Sequence, residues 1–526
     1  MPRRFLAGIA VASVTFALAV WLVQRRQEGQ RQLYVQAELL DNIISYVSDV
    51  YVDSLTEPDL YDLAIDGLFR RLGDPYTGYL AGEDLRSLSM NTTGNYVGIG
   101  IRIESSEGLI TVVTPLSGGP AEEAGILPGD RIIAVDGQSV IDGSTDHVAS
   151  LLRGPEGEPV NVVVARPGSP LRLAFELTRS SIHVNSVRHA ELLDDRVGYV
   201  WLETVSENSA QEVRDAITQL REEGATDVIL DVRSNPGGLL TQAIEITDLF
   251  LEAGDVVAET RGRDPRMTRT YDAKSPEAWP DMPVVVLVDG FSASAAEIIA
   301  GALQDHDRAL VVGAKTFGKG LVQTIFPFSR SNALKITTGR WYTPSGRSIQ
   351  RNEGHLRQGI PLGHDTSSSD SAASYTTDGG RIVEGGGGID PDIAVDSGLL
   401  DVEERIFEIA VAGRVQDFRD AISAYALELS AESTLTDPSF QVSNRMRAAV
   451  RERIIDRGIE IQEDAWNRAI PYIDRTISYR VLRYVFGAEA EMSRRTADDP
   501  VVNRARELLA GPESVSELLN RSDVAN

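Results

Sequence analysis

The chain has 526 residues, 42 % of them hydrophobic and 25 % charged, which excludes a wholly disordered or collagen-like protein. A formal net charge of −27 is a poor match to a phosphate backbone and argues against nucleic-acid binding. The absence of cysteine excludes a thiol nucleophile, a cysteine zinc site and any disulfide. The six histidines show no metal-ligand spacing, so we expect neither a metal nor a cofactor.

Residues 1–26 predict a membrane anchor. The segment Phe5–Val23 carries no charge, and about 20 apolar residues can span a bilayer as a helix. An A-x-A-like cleavage site inside the run leaves a cleaved signal peptide open as the alternative. Either interpretation predicts that the rest of the chain is exported.

Residues 27–90 predict helices, because apolar residues recur there at three- and four-residue intervals, with a turn at Gly73–Leu80. The pattern changes near residue 91. Short β-rich runs bounded by Gly, Pro and Asp then predict a compact β domain over 91–180.

From 181 to 397, strands alternate with helices, which indicates a mostly parallel sheet covered by helices. Within it, the Ser- and Gly-rich residues 363–388 predict a flexible insertion. Residues 398–526 predict helices again. The fold class is therefore multidomain α+β, with a helical N-terminal segment, a β domain, an α/β core and a helical C-terminal region.

The loop Gly313–Gly320, GAKTFGKG, nearly matches a phosphate-binding loop. However, Gly320 stands where that motif needs a magnesium-binding hydroxyl. The residues that follow predict a strand, whereas a phosphate loop must open a helix. Both departures disfavour nucleotide binding.

The segment Val288–Ile299, VDGFSASAAEII, predicts a buried strand, a small-residue turn and a helix. A serine in such a turn, Ser292 or Ser294, resembles a nucleophile presented at a strand–helix junction. The helix N-terminus would offer backbone N–H groups to a developing oxyanion. A plain helix N-cap remains the alternative for either serine.

A serine nucleophile needs a base. His306 lies at the far end of the same helix and should point away from the serine. Lys315 and Lys319 lie in the loop after the next strand, and Ser-Lys pairs are a known variant. The carboxyl ends of parallel strands share one sheet edge, so both loops should face one cleft. A third loop on that edge, Asp231–Leu240, has two adjacent glycines that suit an anion or simply form a turn.

Seven motifs in order resemble the C-terminal processing (tail-specific) serine peptidases of family S41, over about residues 35–400. They are GDPYTGYL, YVGIGI, SNPGG, SASAAEI, TFGKGLVQ, TPSGRSIQ and GGIDPDI. The resemblance implies Ser294 as nucleophile, Lys319 as general base and Gln323 as the residue that orients the lysine. It also implies an oxyanion hole formed by the amide of Ala295 with those of Gly237 or Gly238. The lysine must be neutral to act, and desolvation can lower a lysine pKa by several units.

The resemblance further implies a PDZ domain at 91–180 that binds the C-terminal tails of protein substrates. Its carboxylate-binding loop would be Tyr96, Val97, Gly98, Ile99, Gly100 and Ile101, with Arg153 linking tail binding to activation. An adaptor or lipoprotein activator and a homo-oligomer are left open as partners. The implied location is the bacterial periplasm or cell envelope, with the N-terminal segment in the membrane. The competing hypothesis is a non-catalytic PDZ-bearing scaffold or adaptor that binds C-termini.

Overall fold

The computed structural model describes residues 35–521 except 107, 117, 167–168, 330, 352–372, 396–401 and 412–413. The described chain falls into two compact units. The smaller unit comprises residues 35–81 and 323–337, and the larger unit comprises the remainder. Helices and sheets are both abundant, so the multidomain α+β prediction is confirmed.

The helices in chain order are α1 (35–50), α2 (Glu57–Leu72), α3 (Gly82–Thr93), α4 (Pro120–Glu123), α5 (Thr145–Leu152), α6 (Ser209–Glu223), α7 (Leu240–Asp248), α8 (Ala295–Asp305), α9 (Val402–Ala410), α10 (Val415–Glu432), α11 (Asn444–Asp456), α12 (Glu463–Arg468), α13 (Ile470–Val481), α14 (Ala488–Asp498), α15 (Pro500–Leu509) and α16 (Val515–Leu519). A short 3-10 turn covers Pro265–Met267, and a π-helical turn covers Leu482–Phe486.

The strands are β1 (Gly78–Ala81), β2 (Asn95–Gly98), β3 (Ile101–Ser106), β4 (Leu109–Pro115), β5 (Arg131–Val135), β6 (Gln138–Ser139), β7 (Pro159–Ala165), β8 (Arg172–Thr178), β9 (Ser180–His183), β10 (Val187–Leu193), β11 (Val197–Leu202), β12 (Asp227–Asp231), β13 (Val256–Gly262), β14 (Arg269–Asp272), β15 (Val284–Val288), β16 (Leu310–Gly313), β17 (Leu321–Pro327), β18 (Asn332–Tyr342), β19 (Ser374–Thr376), β20 (Ile382–Glu384) and β21 (Ile393–Ala394).

The smaller unit holds α1, α2, β1, most of β17 and the first part of β18. Thr56 caps α2 in a reciprocal bond pair with Asp59, and Gly73 ends the helix at φ 72°. The predicted turn at Gly73–Leu80 needs correction, because its last residues form β1, antiparallel to β18. Docking beside β18 also satisfies backbone groups, since the Thr337 N–H donates to Thr77 Oγ1 at 3.0 Å.

In the larger unit, the predicted β domain is a sheet of order β3-β4-β5-β7-β8, with β6 beside β5. Apolar residues alternate with polar ones on these strands, and the inward set packs against α5. Among the described residues, β3 is an outer strand of this sheet. The segment β2 pairs with β9 instead, with Tyr96 opposite Ile182.

The core sheet has the order β10-β11-β12-β15-β16-β21. Its β10–β11 pair is antiparallel and the other pairs are parallel, as the alternation of strands and helices predicts. Strands β12, β15 and β16 are fully buried and consist of Val, Ile and Leu apart from Asp227, Asp231 and Gly313. Their carboxyl ends deliver three loops, 232–239, 289–294 and 314–320, to one edge of the sheet.

The C-terminal helices form a separate apolar core, mainly from α9 to α13. They also hold the β domain. Glu104 on β3 accepts bonds from Arg480 Nη1 at 2.7 Å and the Tyr484 hydroxyl at 2.8 Å. The predicted helical C-terminal region thus also supports the β domain.

Part of the stretch predicted as a flexible insertion needs correction. Strands β19 and β20 pair as an antiparallel hairpin. Arg381 anchors that hairpin by donating to Asp307 and Asp392, each at 2.5 Å. Carboxylates outside the hairpin therefore order it, which composition does not reveal, while 363–372 lie outside the described residues.

The prediction of a membrane-anchored, exported protein is contradicted. Within the described part of the chain, no helix has both the length and the apolar character needed to cross a bilayer. The segment Phe5–Val23 itself lies outside the described residues.

Candidate active site

The loop 289–294 joins the buried strand β15 to α8 and presents Ser294 at the helix start. Ser294 has φ 55° and ψ −110°, a backbone conformation that costs energy for a residue with a Cβ. The neighbouring Ser292 is fully buried: its hydroxyl donates to the Val232 carbonyl at 2.8 Å and accepts from the Asp289 N–H at 2.9 Å. Ser292 therefore shapes the loop, and Ser294 is the serine presented by the strained turn.

The loop 232–239 packs directly against this serine turn. The Ala293 N–H donates to the Asn235 carbonyl at 2.9 Å, and the Gly237 N–H donates to Asn235 Oδ1 at 2.8 Å. Gly237 has φ 92°, and a Cβ there would lie 2.6 Å from the Ala293 oxygen and 2.9 Å from Ser294 Cβ. Only glycine allows this close approach.

The loop 314–320 carries Lys319 to the same place. The Phe317 N–H donates to the Ser292 carbonyl at 3.0 Å. The Lys319 N–H donates to Glu297 Oε2 at 2.9 Å, and the Ser294 N–H donates to the same oxygen at 2.8 Å. The structure therefore brings the loops of the two predicted residues together, through a carboxylate on α8.

Glu297 is the functional candidate that the sequence reasoning missed. It is fully buried, and burial raises the pKa of its carboxyl, opposed by bonds from Thr316, Lys319, Gly318 and Ser294. Its available signal was the S-x-x-E spacing from Ser294, which marks a helix capping box.

Of the other predicted residues, Lys315 lies outside the Glu297 cluster. Its Nζ is 2.8 Å from Asp390 Oδ2, in an ion pair. Lys319 is half-buried, and its carbonyl accepts from Trp341 Nε1 at 3.1 Å. His306 lies at the far end of α8, as expected. Gln323 belongs to the smaller unit, on β17.

The predicted peptide loop, Tyr96–Ile101, leads from β2 into β3. The Tyr96 ring lies against Gly98, where an added Cβ would stand 2.8 Å from ring carbon Cε2. The Arg153 guanidinium carbon lies 5.9 Å from the centre of that ring, and Arg153 Nη1 lies 3.3 Å from Glu83 Oε1. Burial raises the pKa of Tyr96, with Arg153 acting in the opposite direction.

Two more residues of the peptide loop set its shape. Ile99 is buried in the β-domain core, and its carbonyl accepts from the Ala121 N–H at 3.0 Å. Gly100 has φ 72°, and an added Cβ would lie 3.2 Å from Gly119 Cα. For metals, the described residues contain no group of three or more His, Asp or Glu side chains that could hold an ion.

Comparison with known proteins agrees with this layout. Residues 196–361 match the model of peptidase family S41, a span that includes Ser294 and Lys319. Residues 111–166 match the model of a PDZ domain and fall within the β domain.

Two curated relatives each match about two thirds of the chain. A carboxy-terminal-processing protease of Bartonella bacilliformis is 36 % identical over 354 residues, 66 % of this chain and 81 % of the relative. A probable CtpA-like serine protease of Staphylococcus haemolyticus is 34 % identical over 347 residues, 65 % of this chain and 67 % of the relative. Among solved structures, a photosystem II D1 C-terminal processing protease is 28 % identical, with a TM-score of 0.37, over 70 % of this chain and 95 % of that one.

Proposed function

Because the chain belongs to the carboxy-terminal processing peptidases of family S41 and carries a PDZ domain, we propose that it cleaves peptide bonds with a Ser294–Lys319 dyad. One observation carries this proposal: the backbone N–H groups of both residues donate to the same Glu297 oxygen. The strained backbone of Ser294 and its helix N-terminus also fit a nucleophile.

The chemistry needs Lys319 in its neutral form. Its amine takes the Ser294 hydroxyl proton while Oγ attacks the scissile carbonyl carbon. The lysine ammonium then returns that proton to the leaving amine as the C–N bond breaks, which leaves an acyl-enzyme. Water, deprotonated by the neutral lysine, attacks the ester and releases the acid, and the proton returns to Ser294.

The oxyanion that forms during each attack needs two backbone N–H donors. Ala295 is the first residue of α8, so its N–H has no acceptor within the helix. The Gly237 N–H already donates to Asn235 Oδ1, which favours Gly238 as the second donor. The amides of Ala295 and Gly238 are therefore our oxyanion hole, and Gly237 provides the close approach.

Gln323 is assigned by its motif, four residues after Lys319 on β17. Its proposed role is to orient the lysine amine toward Ser294. Substitution of Gln323 should therefore lower kcat without removing either member of the dyad.

Substrate tails are proposed to bind the PDZ domain. The backbone amides of the peptide loop would receive the terminal carboxylate, and the tail would add as a strand along β3, the outer strand in the described sheet. Arg153 stands beside Tyr96 with a positive charge that suits a carboxylate. An adaptor or lipoprotein activator and a homo-oligomer remain predictions.

The test is hydrolysis of an unfolded protein with an apolar C-terminus by the full chain. We expect Ser294→Ala and Lys319→Ala to reduce cleavage by at least about a thousandfold with the fold intact. The matched control is Lys315→Ala, which removes a neighbouring lysine that is paired with Asp390. Cleavage that survives Lys319→Ala but is lost in Lys315→Ala would show that Lys315, and not Lys319, is the base. Tail binding without cleavage would favour the scaffold hypothesis.

A further inference from the structure

Glu297 occupies the third position of α8, one turn after Ser294, with no exposure to solvent. A carboxylate without solvent contact is costly unless its oxygens are satisfied by donors. Here four donors converge on it, and three of them are backbone N–H groups. The cost of burying this group is therefore offset by bonds to two separate loops.

The two carboxylate oxygens have different partners. Oε2 accepts from the N–H groups of Ser294 at 2.8 Å and Lys319 at 2.9 Å. Oε1 accepts from Thr316 Oγ1 at 2.5 Å and from the Gly318 N–H at 2.7 Å. Because both N–H groups donate to one oxygen, the distance between the backbone nitrogens of Ser294 and Lys319 cannot exceed the sum of the two hydrogen-bond lengths.

Helix capping alone does not account for this arrangement. Of the four bonds to the Glu297 carboxylate, a capping box uses only the one from the Ser294 N–H, and a solvent-exposed glutamate can accept that bond. The three remaining bonds all come from the lysine loop, 314–320, which is 19 to 22 residues further along the chain. Those bonds hold a loop that is not part of α8.

The Oε2 bond also bears on the strained conformation of Ser294. A non-glycine residue at φ 55° and ψ −110° persists only when its surroundings impose it. The bond to Oε2 fixes the Ser294 N–H, and the close approach of Gly237 fixes the other side of the turn. The carboxylate thus restrains nucleophile and base simultaneously.

We propose that Glu297 is a positioning residue that sets the separation and orientation of Ser294 and Lys319 through their backbone N–H groups. The inference rests on the proposed dyad. Glu297 does not touch the substrate in this role, and it moves no proton. Its contribution is to hold the two reacting side chains in attack geometry, where small displacements cost large factors in rate.

Three substitutions should have graded effects. Glu297→Gln can keep an oxygen toward Ser294 and Lys319 and donate to Thr316, but its NH₂ group then faces the Gly318 N–H. Glu297→Ala removes all four bonds and leaves a cavity. Thr316→Val removes one donor to Oε1 and also the acceptor of the Ile389 N–H, and Thr316→Ser restores both bonds.

The experiment measures kcat and KM for the unfolded tail-bearing protein, with thermal unfolding of each full-chain variant. We expect kcat to fall roughly tenfold in Glu297→Gln and at least about a hundredfold in Glu297→Ala, with KM within about twofold. Thr316→Val should lie between the parent and Glu297→Gln, and Thr316→Ser should match the parent. The control is Glu491→Gln, a carboxylate 2 % exposed that is bonded to Arg483 and Arg495 in the C-terminal helices.

A merely structural glutamate would lower the melting temperature and leave kcat unchanged at temperatures well below melting, as we expect for Glu491→Gln. Parent-like kcat in folded Glu297→Gln and Thr316→Val therefore overturns this inference while the dyad stands. The Gln variant keeps the test decisive if Glu297→Ala does not fold. Cleavage that persists in Ser294→Ala, or a parent that does not cleave, overturns the proposed function and this inference together.

Discussion

The proposed catalytic loops, 289–294 and 314–320, and the proposed peptide loop, Tyr96–Ile101, are held by charges in opposite environments. Glu297 at the catalytic loops has no solvent exposure and accepts four hydrogen bonds. Arg153 at the peptide loop has a side chain 36 % exposed, and its partner Glu83 is 54 % exposed at 3.3 Å. Buried hydrogen-bond donors hold the Glu297 carboxylate in place, whereas the Arg153 guanidinium is also in contact with water.

This difference matches the role that we propose for each region. A buried charge with satisfied bonds cannot move without leaving a donor or acceptor unpaired, which costs about 1–3 kcal/mol per group. An exposed ion pair is worth about 0–1 kcal/mol, so an incoming carboxylate can replace it. Rigid placement suits the proposed bond cleavage, and an easily exchanged pair suits the proposed recognition of many tails.

The largest expected effect tests the buried side of the comparison, at the other end of α8. Asp305 is 2 % exposed and lies 2.7 Å from Nη2 of the fully buried Arg347. Because Asp305→Ala leaves a buried guanidinium without its carboxylate partner, we expect the free energy of unfolding to fall by about 3–5 kcal/mol. Urea unfolding measures it. Glu83→Gln, on the exposed side, should change it by less than about 0.5 kcal/mol, and equal losses would break the comparison.

The next effect tests how rigid the catalytic loops are. In Gly237→Ala the new Cβ would stand 2.6 Å from the Ala293 oxygen and 2.8 Å from the Ala295 nitrogen. We expect the turn to shift and kcat to fall about 100-fold or more, the scale of losing an oxyanion donor. Gly290→Ala is the matched control, because its Cβ would meet nothing closer than the Lys315 oxygen at 3.9 Å. A parent-like kcat for Gly237→Ala would show that the catalytic loops can adjust to the added Cβ without loss of activity.

Much of the catalytic region was predictable because its elements follow local rules. Buried Val-rich strands alternating with helices predict a parallel sheet, and that topology places the loops of Ser294 and Lys319 on one edge. The role of Glu297 was not predictable, because three of its four bonds come from residues 19 to 22 positions later. The sequence shows only its local capping pattern.

Errors elsewhere share that physical origin. Residues 78–80 look like part of a turn, but they form β1 because β18, more than 250 residues later, pairs with them. The hairpin β19–β20 looks like a flexible run, but Arg381 binds Asp307, 74 residues earlier, as well as Asp392. Composition reports local propensity, and these elements depend on non-local partners.

The third prediction tests the exposed side. Arg153→Ala removes the charge beside the Tyr96 ring, and we expect tail binding to weaken about fivefold, or roughly 1 kcal/mol. Fluorescence anisotropy of a labelled apolar peptide measures the affinity, and the same peptide with an amidated C-terminus is the control. Glu83→Gln frees Arg153 from its partner and should strengthen binding slightly. A large loss of stability in Arg153→Ala would instead make this arginine structural.

The smallest effect is a pH dependence at the end of α8 that faces away from Ser294. His306 Nδ1 lies 2.7 Å from Asp378 Oδ2 and Nε2 lies 2.7 Å from the Val256 carbonyl, so two acceptors favour the doubly protonated ring. Burial alone would lower the pKa of His306, but these bonds raise it above 6.5. The stabilisation is therefore complete below about pH 6.5 and is lost as the pH rises through the folded-state pKa. Asp378 is 72 % exposed, so we expect a loss of stability below about 1 kcal/mol.

Urea unfolding from pH 6 to 9 should show a smaller decline in stability in Asp378→Asn than in the parent, and identical slopes would refute the pairing. A parent decline of several kcal/mol would place a strongly held charge at this surface and remove the distinction between buried and exposed pairs.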